Sequence, residues 1–115
     1  LLDCAEGRKL TYDYYADNPP DKMREFRDII VYGEKVSQHL EIWWNKNWDQ
    51  ECTNYVETYF GKKTLHEVME RTAWHAGQHV RQFMMLLEKM DLEPQLPLTR
   101  EDFVGLPMPE KVWDD

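Results

Sequence analysis

Two long stretches of the chain repeat apolar positions with the period of an α-helix. In the first, from Asp21 to about residue 47, Glu25, Ile29, Tyr32, Val36, His39 and Trp43 fall within about 80° of one another on a helical wheel, a near-heptad series able to face another helix. In the second, from Leu65 to about Met90, a wheel centred on His75 gathers Val68, Thr72, His79, Phe83 and Leu86 within about 80°, and Met69, Ala76 and Leu87 widen that arc. Glu70, Arg71 and Arg81 point away from it, and His66 falls opposite His75. Pro19-Pro20 breaks the chain before the first helix, with Asp21 as its N-cap, and Gly33 is a tolerated weakness. Thr64 and Glu67 form a capping box for the second.

No run alternates apolar and polar residues with strand composition, so the pattern predicts an all-α fold with helices near 21–47 and 64–90 as its longest elements. Residues 49–62 admit either a short helix or an extended link ending at Gly61. The opening fifteen residues read as partly helical, a stub of a first helix. Beyond Asp91 the prolines are too frequent for regular structure apart from one turn at Thr99–Phe103. Residues 91–115 are therefore expected to be an irregular tail lying over a single domain, 1–115, with Phe103, Leu106 and Trp113 as anchors.

Hydrophobic residues make up 42% of the 115 positions and aromatics 13%, enough for one core. Twenty-two acidic against fourteen basic side chains leave a formal charge of −8 with no basic stripe, which argues against a nucleic-acid partner. The absence of an apolar run near ~18 residues argues against a membrane partner, and no secretory leader is visible, so the chain reads as cytoplasmic. Cys4 and Cys52 lack a C-x-x-C partner and read as reduced, structural thiols.

The candidate chemistry lies in "WHAGQHVRQ". Residues four apart on a helix project together, so the imidazoles of His75 and His79 can meet one divalent ion, with a third ligand required from another helix. The pair lacks the glutamate of H-E-x-x-H, which removes peptidase chemistry. Ser37, the only serine, projects away from His39 two residues later, which removes a serine nucleophile with that base. The alternative to a metal site is a packed pair whose N–H groups bond locally.

"HAGQHVRQFMMLLEKM" resembles the last helix of the DinB/YfiT-like domains, in which H-x-x-x-H is followed by a glutamine three residues on and then by leucines; His75, His79, Gln82, Leu86 and Leu87 fill those places. "REFRDIIVYGEKVSQHLEIWW" is similar to that family's earlier helix, so the resemblance spans roughly residues 20–95. It implies a helical bundle, here with a shortened first helix, and one divalent metal ion, Zn or Ni, held by His39, His75 and His79. Tyr32 and Gln82 are the implied pocket residues. The activity implied is that of a metal-dependent enzyme, a thiol-dependent transferase or a hydrolase acting on a small molecule.

This sequence departs from the family at the third ligand. The arginine-aspartate-apolar-apolar-x-histidine pattern places Tyr32 at the histidine position, and His39 follows seven residues later, about 10 Å along the axis. With antiparallel helices matched at their ends, Tyr32 falls about 3 Å from level with the histidine pair and His39 about 7 Å. A neutral phenol is a poor ligand. The alternative is thus a non-catalytic, metal-free module of the same family, serving ligand binding or protein association. Two apolar stripes beside so short a first helix also predict a homodimer.

Overall fold

The fold, taken from a computed structural model, is described for residues 1–12, 23–47 and 49–113. These form two compact units, Leu1–Val68 and Met69–Asp115, whose border falls inside one long helix. The described residues are mixed α/β, which corrects the all-α expectation: helices α1 (Leu2–Ala5), α2 (Phe26–Lys46) and α3 (Leu65–Lys89) are accompanied by an antiparallel pair, β1 (Tyr55–Thr58) and β2 (Gly61–Thr64).

The hairpin occupies the stretch left open between helix and extended link. Its register pairs Tyr55 with Thr64 and Thr58 with Gly61, so Tyr59 and Phe60 alone make the turn. Both keep negative φ while Gly61 takes +112°. A turn of that hand splays the strands unless a residue with positive φ follows, and glycine enters that region without a Cβ penalty. Thr58 Oγ1 donates to the Gly61 carbonyl at 2.7 Å and closes the turn. The Leu10 amide donates to the Glu57 carbonyl at 3.1 Å, adding a parallel bridge to β1.

Helix α2 starts at Phe26 and not near Asp21, which lies outside the described residues, because the Asp28 carboxylate accepts from the Arg24 and Glu25 amides and fixes the first turn there. Helix α3 begins where the sequence places it. The Thr64 amide donates to Glu67 at 2.8 Å and the Glu67 amide to Thr64 Oγ1 at 3.2 Å. The Leu65 and His66 amides donate to the carbonyls of Asn54 and Cys52, so the hairpin and the loop before it satisfy the helix's first free donors. Around that junction lie the buried side chains of the first unit: Cys4, Cys52, Leu65 and Val68, with Thr58 and Asp49. Asp49 accepts from Thr53 Oγ1 and the Asn54 amide, so its carboxylate is hydrogen-bonded. Neither cysteine is in a disulfide, and burial pushes their thiols above the ordinary value.

In the second unit the chain leaves α3 through Asp91, which takes φ +55°; the Leu92 amide donates to the Leu87 carbonyl and the Asp91 amide to that of Glu88. The expected turn in the tail is a 3-10 turn at Arg100–Phe103, with the Asp102 carboxylate accepting from the Thr99 amide. Phe103 lies against Gly77, where a Cβ would meet its ring at 2.8 Å. Trp113, another expected anchor, stays 44% exposed. No helix among the described residues is long and apolar enough to cross a membrane.

Candidate metal-binding histidines and the tail clamp

Positions four apart on α3 bring His75 and His79 together, their ring centroids 4.6 Å apart and their planes 70° to one another. His75 is half-buried and stacks edge-on against Trp74, and His79 is exposed. Burial, then the neighbouring His79 and Arg71, pushes the His75 pKa below that of a free imidazole. His75 is therefore neutral near pH 7, the form a metal ligand requires.

His79 has its tautomer set by a relay from the tail. Gln82 Nε2 donates to the Val112 carbonyl at 3.2 Å, which turns the amide so that Oε1 faces His79. That oxygen lies 2.9 Å from His79 Nδ1 and can only accept, so Nδ1 is the nitrogen that donates to it and Nε2 is the one turned to any ligand. The arrangement is the one by which a polar neighbour orients a metal-ligating histidine.

The tail is held by three side chains in the same two turns of helix. Gln78, 8% exposed, donates through Nε2 to the carbonyls of Lys111 and Val112, at 3.0 and 2.6 Å. Its Oε1 accepts from Arg81, whose guanidinium also donates to the Pro109 and Glu110 carbonyls at 2.7 and 3.2 Å. Arg81 points away from the apolar arc, as the sequence places it, and meets the tail there. Gly77, Gln78 and Arg81 all lie outside the arc that holds His75 and His79 on the helical wheel, so the tail covers the face read as solvated. Prolines and irregular backbone leave tail carbonyls without partners, and a helix face rich in side-chain N–H donors meets that need. The sequence signal for this was Gln78-x-x-Arg81-Gln82 paired with a proline-rich segment.

The other sequence-predicted residues lie in the first unit. His39 is exposed, with Nε2 2.7 Å from Glu6 Oε1. Glu6 is also hydrogen-bonded by Arg8, which foremost holds its carboxyl below the usual range. Tyr32 is 43% exposed, and no residue of α2 is buried. Among the described residues no three His, Cys, Asp or Glu side chains are gathered as a metal site. Among the described residues His75 and His79 are therefore a pair of imidazoles with no third such side chain gathered beside them. No protein-family model, no curated protein and no solved structure matches the chain.

Proposed function

We propose that the chain is a DinB-like module of the cytoplasm that binds a divalent metal ion, zinc or nickel, through His75 and His79 and acts on a small molecule, with a thiol as the substrate class. The supporting observation is the His75–His79 pair, one imidazole kept neutral by burial and the other presented with a free Nε2 by Gln82. Such an ion, when bound, polarises a substrate oxygen or holds a thiolate. The residues themselves do the rest: His75 and His79 hold the ion, Gln82 orients His79, and the charge of −8 disfavours nucleic acid.

Metal analysis of protein purified without added metal, followed by zinc and nickel titration, tests this. Replacing His75 or His79 by Ala should weaken binding at least tenfold. Loss on His39→Ala assigns His39 as third ligand, whereas gain on Tyr32→His assigns that place to position 32. Metal-free protein that takes up neither ion at micromolar concentration overturns the proposal.

A second reading, a metal-free association module, is favoured by α2. Phe26 is 78% exposed and Ile29 56%, on a helix with no buried residue. An uncovered apolar face of that kind drives self-association, with a second copy as the occupant. A monomer mass by light scattering at micromolar concentration would rule out that homodimer.

A further inference from the structure

The face of α3 turned away from the histidines carries a cleft of about 640 Å³, a size within the ~300–1,000 Å³ of small-molecule sites. Arg81, Met84, Met85 and Glu88 form one wall, spaced i, i+3, i+4 and i+7 so that they lie within about 100° on the helix. That arc is centred well over a quarter-turn from His75 and His79, so the cleft does not open on the side of the pair. The opposite wall comes from Leu92, Pro94, Pro97 and Val112. Two prolines stiffen that wall, and the Gln78, Arg81 and Gln82 bonds hold Val112 and its neighbours in place. The cleft is thus built before any ligand arrives.

Its chemistry is apolar at the walls and anionic at the rim. The two methionines supply adaptable, polarisable surface suited to ligands of irregular shape. Glu88, Asp91 and Glu93 line the same cleft, and none of the ion pairs among the described residues involves them. Against these three carboxylates stands one cation, Arg81, whose guanidinium is directed at Gln78 and the tail carbonyls. An apolar anion would meet repulsion at the rim, a neutral ligand would gain nothing from it, and a cation would be attracted.

We propose that this cleft binds small amphipathic cations, ammonium compounds with an aryl or alkyl body seated against Met84, Met85 and Leu92 and the charge turned to Glu88, Asp91 and Glu93. The site is separate from any metal at His75 and His79, so the two proposals stand or fall independently.

The test titrates the full chain, labelled at its methionine methyl groups, with phenethylammonium, 2-phenylethanol and 3-phenylpropionate, which share a body and differ in charge. Met84 and Met85 signals, assigned by Met→Leu variants, should shift with phenethylammonium at a concentration at least tenfold below that needed for either analogue. The combined variant Glu88→Gln, Asp91→Asn, Glu93→Gln changes only exposed residues and keeps at position 91 a residue that tolerates positive φ. It should lose that tenfold preference while its circular-dichroism spectrum stays unchanged. Equal binding of the three probes, an unchanged preference in the variant, or no shift of either methionine by any probe overturns the proposal.

Discussion

Replacing Gly77 by Ala sets two effects of similar size against each other, and the structure decides the sign. Alanine in a helix interior is favoured over glycine by about 1 kcal/mol, so on propensity alone the change should stabilise. The added Cβ, however, would stand 2.8 Å from Phe103 Cε1, 3.2 Å from its Cδ1 and 3.4 Å from Met108 Cε. Carbon atoms pack best near 3.5–4.0 Å, so the ring must retreat by about 0.7–1.2 Å. It cannot do so freely, because the tail that carries it is bonded to Gln78 and Arg81. Overpacking of this kind costs roughly 1–3 kcal/mol, and the net expectation is a loss of about 1 kcal/mol. In a Phe103→Ala background the obstruction is gone, only the propensity gain is left, and the same substitution should stabilise by about 0.5–1 kcal/mol. Urea unfolding of the four proteins, followed by far-ultraviolet circular dichroism, measures the cycle. If Gly77→Ala stabilises in both backgrounds, the tail does not pack on this face as described.

Glu67 supplies a pH dependence. Bonds from the Thr64 amide, Lys63 and the Thr64 hydroxyl hold its pKa at about 2, against an ordinary 4.5. Because the folded value is depressed, its contribution to stability is fully present above about pH 4.5 and lost as the pH falls towards 2. Glu67→Gln should therefore flatten the fall of the urea midpoint as the pH is lowered from about 4.5 towards 2, leaving the share of Asp102 and Glu6, which are lowered in the same direction. An unchanged profile would show that the capping box contributes nothing. Asp91, at φ +55°, occupies a backbone region that glycine enters without penalty, so Asp91→Gly should raise stability by about 0.5–1 kcal/mol. A lower urea midpoint would count against that assignment of the helix end.

How much of this was legible in the sequence follows from how local each signal is. The start of α3 was readable because Thr64 and Glu67 satisfy each other's amides within one turn, independent of anything distant. The turn at Thr99–Phe103 was readable for the same reason. The hairpin was not, since its strands are four residues each, too short for alternation to stand out. The β-branched and aromatic run Tyr55-Val56-x-Thr58-Tyr59-Phe60 before Gly61 was nevertheless its signature. The start of α2 at Phe26 was not read because its capping box pairs Glu25 with Asp28, and a glutamate is not an expected N-cap. Apolar periodicity did not mark the face of α3 that the tail covers, because what the tail needs from the helix is hydrogen-bond donors as well as apolar surface.

The covered face bears on the histidines themselves. A wheel ranked by hydrophobicity gives Gln78 and Arg81 no packing role, and it does not show that Gln82 orients His79. In the structure Gln82 sits at the edge between the two faces and bonds both ways, to Val112 of the tail and to His79. Turning its amide over would set an oxygen against the Val112 carbonyl, a repulsive contact in place of a bond, so the tail carbonyl decides which end of the amide faces His79. The tail therefore does more than cover apolar surface: by holding the Val112 carbonyl in place it fixes which nitrogen of His79 donates to Gln82, and so which one is turned to any ligand. Docking of residues 109–113 and the state of a side chain on the far side of the helix are in this way parts of one hydrogen-bond chain.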